Sequence, residues 1–431
     1  MTSRHGDAVA RAALIIALFV DLGAASACSS THTQTPTHAT NVSCAEATNP
    51  VAGDGYALEP FCAPQDPGPG NIWFAASGEV LALTGYAFPP ASDADAAFVD
   101  GWDVRFSHLL TTIDEITLSE NPDYQKGSQA LTGQVVAQVD GPWAVDLSHG
   151  DPRYLPGKGG AGEQAVPIAA LASQNKQGGA AFATDGTRYA FGFDLIAARN
   201  DAQNVNLDPE ALADYEQMVS AGCAVLYEGT ATFKGDQSFP GCLPEDRKSW
   251  PKIVNFRLCF KSPTSYLNCQ NPDNDPQKPI SDDEESARGI AFLSNASVIA
   301  QVTVHTDHPF WDSVLHDSPA HFDQFAARAA ASAGTAQVTL EDTIGVDYTA
   351  YTDAQGNALD WRYCVEPATD VHPKLVGAMR FDPHGVPSAI GADPSTGLRD
   401  YYDFATYDQS TQGHLNSDGL CYVRRNYPSP N

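Results

Sequence analysis

The chain has none of the short motifs that commonly mark an enzyme or a thiolate metal site. Its nine cysteines include no Cys-x-x-Cys pair, which argues against a zinc–thiolate site, and without Cys-x-x-Cys-His it is not a c-type cytochrome. The sequence also lacks Gly-x-Ser-x-Gly, His-Glu-x-x-His and a phosphate-binding P-loop. Function therefore has to be argued from less specific patterns.

Basic residues are scarce as well. The chain has 24 lysines and arginines against 53 aspartates and glutamates, which gives a net charge of −29 at pH 7. Such a surface repels phosphate backbones and anionic lipid, so nucleic-acid binding is not expected. The hydrophobic content of 42% is nevertheless sufficient for a large buried core.

Long hydrophobic runs are missing too. The apolar stretch at 12–20 (AALIIALFV) is too short to cross a bilayer, which takes about 20 residues. Two arginines precede this stretch, and the small residues Ala25-Ser26-Ala27 follow it as a cut site. We therefore interpret residues 1–27 as an export signal peptide.

Cys28 follows this cut site directly. Ala-Ser-Ala-Cys resembles the lipobox of bacterial lipoproteins, in which the cysteine is acylated, although that motif prefers leucine at the position of Ala25. Residues 28–50 then form a polar tether. Ser29 after the cysteine implies, for this class, anchoring in the outer membrane through the lipid. The alternative is a secreted or periplasmic protein with one free or intermolecular thiol.

Lipidation of Cys28 leaves eight cysteines, an even number that allows four disulfides in an oxidising compartment. Sequence alone does not choose among the 105 possible pairings. Local spacing favours the following set: Cys44–Cys62, Cys223–Cys242, Cys259–Cys269 and, by remainder, Cys364–Cys421.

Most apolar runs are short and are separated by turn residues, which predicts β-strands. The segment 102–108 alternates cleanly, and the run 79–88 is also interpreted as a strand. We expect a mainly β protein: an antiparallel, disulfide-stapled β-sandwich domain over residues 51–310, followed by a mixed, partly helical region over residues 311–431.

Two segments carry helix signals. Asp208 as the N-cap and a proline directly after it predict a helix over 209–220, which a glycine ends. Ser318 followed by proline predicts a second helix over 319–331 on the same grounds.

Histidines are concentrated in one stretch of the chain. Four of the twelve lie close together: His305, His308, His316 and His321. On an extended strand His305 and Asp307 share one face, because side chains alternate with a period of two. A bend at Pro309 would turn His308 toward the same side. His316 or His321 would then complete a metal site.

A tetrahedral set of imidazole and carboxylate ligands suits zinc, and a more tetragonal set suits copper. We therefore name His305, Asp307, His308, His316 and His321 as candidate ligands for a Zn or Cu ion. The alternative interpretation is purely structural. In that case His305 is a half-buried strand residue, Asp307 a turn residue and His321 a surface helix residue.

Several segments resemble exported lipoproteins of myxobacterial type. They are Trp102–Leu118, Tyr227-Glu-Gly229, Tyr266-Leu-Asn-Cys269, and His305-x-Asp-His308 followed by Phe310-Trp311. The resemblance implies an exported, β-rich surface protein. It gives no information about an activity.

Three functional hypotheses follow. The first is non-enzymatic binding of a metal ion or small ligand by a surface lipoprotein. The second is a secreted hydrolase acting on polysaccharide or ester, which paired carboxylates about 5 to 10 Å apart would support. The third is a structural or adhesive surface protein, which exposed aromatic patches would support.

Overall fold

A computed structural model describes residues 51–52, 55–92, 95–151, 153–172, 182–236, 242, 247–274, 284–312, 314, 316–331, 336–346, 364–365 and 398–426. The predicted signal peptide, Cys28 and the predicted tether lie outside the described residues. Among the described residues, no helix combines the length and the apolar character needed to cross a bilayer.

Eighteen strands make up most of the regular structure in this part of the chain. In chain order they are β1 Glu59–Pro60, β2 Ile72–Ser77, β3 Trp102–Ser119, β4 Val135–Val139, β5 Trp143–Asp146, β6 Leu155–Pro156, β7 Gln164–Leu171, β8 Asp185–Leu195, β9 Gln203–Asn204, β10 Val225–Phe233, β11 Ile253–Phe260, β12 Thr264–Leu267, β13 Ile290–Leu293, β14 Val298–Val304, β15 Gln337–Thr339, β16 Gly413–Leu415, β17 Gly419–Leu420 and β18 Tyr422–Arg425.

Helices are few and short by comparison. They are α1 Glu79–Thr84, α2 Pro209–Ala221, α3 Asp323–Ala331 and α4 Tyr401–Gln409, with 3-10 turns at Pro272–Asn274, His308–Phe310 and Leu340–Thr343. The fold is therefore mainly β, as the sequence predicts.

Twelve strands form one large sheet around the long strand β3. Its main path runs β1-β9-β5-β3-β10-β11-β15, and β4 and β8 also pair with β3. One strand can have this many neighbours because its 18 residues pair with different partners along their length. The branch through β8 continues to β12, β13 and β18.

Six strands form the second sheet, in the order β17-β16-β14-β2-β7-β6. Its central strand β14 is parallel to β2 and antiparallel to β16. Residues Ala300 to Val304 of β14 are buried on both faces, which is typical of a strand in the middle of a sheet.

The two sheets share one hydrophobic core. Side chains of both sheets belong to the same buried cluster, and the rings of Phe74 on β2 and Phe191 on β8 stack with centroids 6.1 Å apart. This face-to-face packing is what a sandwich-like architecture requires.

Local helix signals are confirmed at α2. The carboxylate of Asp208 accepts hydrogen bonds from the backbone N–H groups of Glu210 and Ala211, and Gly222 ends the helix in the left-handed conformation. Both ends of this helix are therefore explained by residues adjacent to it in sequence.

Two other elements differ from the prediction. The run 79–88 does not form a strand, because its first six residues form helix α1; leucine and alanine there favour a helix. Helix α3 begins at Asp323 and not at Pro319. The carboxylate of Asp100 caps it by accepting from the N–H groups of Phe322 and Asp323, at 2.7 Å each, which no local pattern reveals.

Three disulfides connect described cysteines: Cys223–Cys259, Cys242–Cys364 and Cys269–Cys421, with Cα atoms 5.5, 4.2 and 3.9 Å apart. The predicted pairs Cys223–Cys242, Cys259–Cys269 and Cys364–Cys421 are therefore wrong. The neighbouring strands and not the spacing along the chain bring Cys223 and Cys259 together, since Cys223 lies just before β10 and Cys259 lies on β11, its antiparallel neighbour. Cys62 is also disulfide-bonded, but Cys44 lies outside the described residues, so that predicted pair stays a prediction.

The strands after residue 310 add to the two sheets already described. β15 pairs with β11, β16 with β14, and β18 with β12. Sheet hydrogen bonding therefore crosses the predicted boundary at residue 310, which stays a prediction about folding units. The pairing of β16 with β14 across this boundary positions the candidate site.

Candidate metal centre

The site forms where strands β14 and β16 meet. Their antiparallel register places Thr303 opposite His414, and the backbone N–H of His305 donates to the carbonyl of Gln412 at 3.0 Å. His305 directly follows β14, so the pairing brings its ring beside His414 with centroids 4.2 Å apart. Two histidines distant in sequence become neighbours in this way.

The predicted bend at Pro309 exists as the 3-10 turn His308–Phe310. It turns the ring of His308 toward the same point, with ring centroids 5.3 Å from His305 and 5.4 Å from His414. On its other side the His308 ring stacks on Trp311 at 3.7 Å. The bend therefore brings His308 beside His305, as the sequence predicts.

His316 completes the group, with ring centroids 5.9 Å from His308 and 5.4 Å from His414. One ring nitrogen each of His308, His316 and His414 lie within 4.8 Å of one another, and the same holds for one ligand atom each of His305, Asp307 and His308. Tetrahedral zinc with nitrogen ligands at about 2.0 Å has donors about 3.3 Å apart. Small side-chain rotations would close this gap. We call His305, His308, His316 and His414 the histidine cluster.

Hydrogen bonds fix the tautomer of His308. Its Nδ1 lies 2.7 Å from the hydroxyl oxygen of Thr411, and that hydroxyl donates its own proton to the carbonyl of Asp408. The Thr411 oxygen must therefore accept, so Nδ1 of His308 carries the proton and Nε2 keeps its lone pair. This Nε2 is buried and has no hydrogen-bond partner among the described residues.

The same reasoning applies to two further members of the cluster. Nε2 of His305 lies 3.0 Å from the carbonyl of Ser417, which only accepts, so the lone pair is on Nδ1. Nδ1 of His316 lies 3.1 Å from a carboxylate oxygen of Asp317, so in the neutral ring the lone pair is on Nε2. In each ring one nitrogen is anchored and the other remains available as a ligand, the arrangement found in metal-binding histidines.

His414 is the least satisfied residue of the cluster. It is 1% exposed, and neither ring nitrogen reaches the geometry of a full hydrogen bond in the described part of the chain, although the backbone of Ser417 and Thr411 lies close enough to oppose part of the lowering of its pKa. Leaving a buried polar group unpaired costs about 1–3 kcal/mol. Burial and the other imidazoles hold the pKa values of His308 and His414 well below the usual histidine value. Both rings are therefore neutral, which is the form that binds metal ions.

Carboxylates also border the cluster beside His305, at Asp307 and Glu79. Oε1 of Glu79 lies 3.7 Å from Nε2 of His305 and accepts a hydrogen bond of 2.8 Å from the hydroxyl of Ser417. Burial raises the pKa of Glu79, although His305 opposes this. Glu79 and Ser417 both have positive φ, at 61° and 72°, a conformation that costs non-glycine residues about 1–3 kcal/mol each. Such strain is concentrated at functional sites.

The structure places the five predicted ligands as follows. His305, Asp307, His308 and His316 come together. His321 lies outside the cluster and is fully buried, with Nε2 3.2 Å from the carboxylate of Asp312. His414 was not predicted as a ligand, because its position depends on the β14–β16 pairing. The polar segment 413–419 around it suggests a tight hairpin, but no local signal identifies β14 as its partner.

A second histidine group, also missed, lies on the larger sheet. Asp146 on β5 accepts from Nδ1 of His108 at 2.8 Å and from Nδ1 of His149 at 2.9 Å. Burial alone would raise the pKa of this carboxyl, but the hydrogen bonds from both imidazoles hold it well below its usual range. We call His108, Asp146 and His149 the His–Asp–His group.

The pKa values of the two imidazoles in the His–Asp–His group are raised, whereas that of Asp146 is lowered. Burial lowers the pKa of His108, but its hydrogen bond to Asp146 outweighs this, and the net shift is upward. The hydrogen bond to Asp146 likewise raises the pKa of His149. In this group each imidazole is therefore paired with the shared carboxylate of Asp146.

Comparison with known proteins adds no assignment to this geometry. No protein-family model, no curated protein sequence and no solved structure matches the chain.

Proposed function

We propose that the protein is an exported lipoprotein that binds a Zn²⁺ or Cu²⁺ ion at the histidine cluster, without catalysing a reaction. The lipid on Cys28 would hold it at the outer membrane, and the export signal over residues 1–27 supports this location. The disulfides are consistent with an oxidising compartment.

One observation carries the metal proposal. Ring nitrogens of two buried imidazoles, His308 and His414, and of the exposed His316 come within 4.8 Å of one another. Among the described residues, neither Nε2 of His308 nor either ring nitrogen of His414 has a hydrogen-bond partner. Lone pairs that converge without a proton donor repel one another, and a cation at their centre removes both the repulsion and the unpaired state.

The chemistry of the donor atoms selects the class of metal. The cluster offers imidazole nitrogens and the nearby carboxylate of Asp307, with no thiolate or thioether among its members. Imidazole suits Zn²⁺ and Cu²⁺, whereas Mg²⁺ and Ca²⁺ prefer oxygen ligands and Cu⁺ prefers sulfur.

Metal analysis of the chain purified without a histidine tag tests the proposal. A structural zinc site of four ligands is worth about 10–16 kcal/mol, or about 3 kcal/mol per ligand, which corresponds to a loss of roughly a hundredfold in affinity for each ligand removed. We expect this loss in His308→Ala and in His414→Ala. The matched control is His149→Ala, which removes a histidine from the His–Asp–His group and should keep full affinity.

Equal Zn²⁺ and Cu²⁺ affinities in wild type and both cluster variants would refute a site at this position. Circular dichroism of each variant separates a lost ligand from a lost fold, because a folded variant without metal points to the ligand.

Intact-mass measurement tests the anchor independently. Membrane-purified protein should begin at Cys28 and carry acyl chains, while Cys28→Ser should be released in unacylated form. An unmodified mature wild-type chain would contradict lipidation and leave the metal proposal unaffected.

A hydrolase is the second candidate, and a carboxylate pair favours it. A Cβ placed on Gly159 would lie 2.7 Å from Oε2 of Glu163 and 3.1 Å from Oε1 of Glu79. The two carboxylate oxygens are therefore at most about 6 Å apart, an upper limit that admits the 5–5.5 Å or so of retaining glycosidases. It ranks second because Glu163 is 5% exposed and already accepts from Gln301 and from the backbone of Gly159. Polysaccharide hydrolysis that is lost in Glu79→Gln would support it.

A further inference from the structure

The four imidazoles of the histidine cluster differ sharply in accessibility. The side chains of His308 and His414 are almost completely buried, and that of His305 is 14% exposed, whereas that of His316 is 33% exposed. A metal ion bound among them would meet solvent on the side of His316. The metal ion would therefore enter and leave past His316 and not past the other three imidazoles.

The imidazoles also differ in how firmly they are held. His414 lies on β16, inside a sheet, and His305 follows β14 and is anchored to the carbonyl of Ser417. His308 is held between Thr411 and the stacked ring of Trp311. These three rings can change rotamer only by disturbing buried neighbours.

His316 is held less firmly, although its ring stacks on His414 and meets Trp311 edge-on. It lies outside the named strands and helices, and its hydrogen-bonding partner in the described part of the chain is its own neighbour Asp317, whose side chain is 86% exposed. An exposed pair of this kind contributes about 1 kcal/mol or less. Rotation of the His316 ring away from the cluster therefore costs less than rotation of any of the other three rings.

We infer that His316 is the exchange ligand of the metal site. The protein passes its ion to and from a small soluble chelator, or an amine- or carboxylate-bearing carrier, on the His316 side. This inference rests on the proposed metal binding. In the exchange step the bond between Nε2 of His316 and the metal breaks, and a lone pair of the incoming donor forms the replacing bond. The oxidation state of the metal does not change, and His308 and His414, the other two members of the three-histidine group, hold the ion throughout.

Release of Cu²⁺ to EDTA gives a direct test. Bound Cu²⁺ quenches nearby indoles, and Trp311 lies against His308 and 5.6 Å from the ring of His316, so recovery of tryptophan fluorescence reports release. In wild type the release rate should rise with EDTA concentration and then level off at the rate at which His316 leaves. In His316→Ala the rate should keep rising in proportion to EDTA and exceed the wild-type plateau about tenfold or more.

Equilibrium affinity separates an exchange ligand from a core ligand. We expect His316→Ala to lose about tenfold in Cu²⁺ affinity and His414→Ala to lose roughly a hundredfold, because only the latter removes a preorganised ligand. His149→Ala serves as the matched control for a partly exposed histidine and should release Cu²⁺ at the wild-type rate.

Two results would overturn the inference. Unchanged release kinetics in His316→Ala would show that this residue is not a ligand, and an affinity loss as large as that of His414→Ala would make it a core ligand. Failure of the proposed function has a different signature, because wild type would then show no Cu²⁺-dependent quenching that His414→Ala removes.

Discussion

The same side chain serves opposite roles in two regions of this protein. In the His–Asp–His group, His108 and His149 donate to one buried carboxylate, and the pKa values of both imidazoles are raised. In the histidine cluster, burial lowers the pKa values of His308 and His414 well below the usual range. Imidazoles are crowded in both regions, but only in the His–Asp–His group does one buried carboxylate accept from two of them. In the histidine cluster the exposed carboxylate of Asp317 bonds His316 alone and raises its pKa.

This difference identifies which group is ready for a ligand. Both oxygens of Asp146 are satisfied, since the backbone N–H groups of Leu109 and Ser148 add to the two imidazoles. The His–Asp–His group therefore stabilises the fold by itself. The histidine cluster leaves lone pairs unpaired at a cost of about 1–3 kcal/mol for each buried polar group, and binding of a cation would offset that cost.

The largest effect is expected from removing the shared carboxylate. Asp146→Ala leaves two imidazoles and two backbone N–H groups without their acceptor, and breaking a buried charge pair in this way costs about 3–5 kcal/mol. Urea unfolding at neutral pH measures the change in the free energy of unfolding. The control is Asp317→Ala, an exposed carboxylate beside His316, for which we expect less than about 1 kcal/mol. Similar losses in the two variants would break the comparison.

Added metal should stabilise the protein through the histidine cluster alone. Zn²⁺ at about 100 times its dissociation constant adds roughly 2.7 kcal/mol to the free energy of unfolding. Thermal unfolding with and without Zn²⁺ should show this gain in wild type and in His149→Ala, and should not show it in His308→Ala. A gain that persists in His308→Ala would move the metal to another part of the protein.

Removing the buried imidazole of His414 should have a smaller effect, and it should stabilise the metal-free protein. In EDTA-treated protein His414→Leu should raise the free energy of unfolding by about 1–2 kcal/mol, because leucine fills a similar volume and has no polar atoms to satisfy. Urea titration of the metal-free variant checks this. His149→Leu is the counterpart and should not stabilise, since that ring has a hydrogen bond to lose. A destabilised metal-free His414→Leu would mean that the ring nitrogens of His414 are satisfied after all.

How much the sequence predicted depends on how local each cause is. Helix α2 was predicted because Asp208 and Gly222 adjoin it. The approach of His305 to His308 was predicted because a single bend at Pro309 produces it. Each of these contacts is fixed by a few consecutive residues.

Features that depend on strand pairing were not predicted. His414 joins the cluster through the register between β14 and β16, and Cys259 pairs with Cys223 because β10 and β11 are neighbours. Spacing along the chain carries no information on which of eighteen strands are neighbours. The predicted start of α3 was wrong for a related reason, because the capping residue, Asp100, comes from a distant segment of the chain.

The smallest expected effect concerns pH and the His–Asp–His group. The folded-state pKa of His108 is raised above the unfolded value of about 6.5, so between these two values the folded state binds more protons than the unfolded state. The stability that His108 contributes is therefore fully present below about pH 6.5 and is lost as the pH rises through the folded-state pKa. In His108→Gln the free energy of unfolding should fall less steeply with pH above about 6.5 than in wild type.

The histidine cluster supplies the control for this pH prediction. The pKa of His414 is lowered in the folded protein, so above about pH 7.5 the ring is largely neutral both folded and unfolded and contributes little to the slope. His414→Leu should therefore retain the wild-type slope between about pH 7.5 and 8.5 in EDTA, whereas His108→Gln should flatten it. Equal slopes in all three proteins would show that Asp146 does not raise the pKa of His108, and a flattened slope in His414→Leu would place a charged imidazole inside the cluster. Either result would remove the electrostatic contrast on which the assignment of the two groups rests.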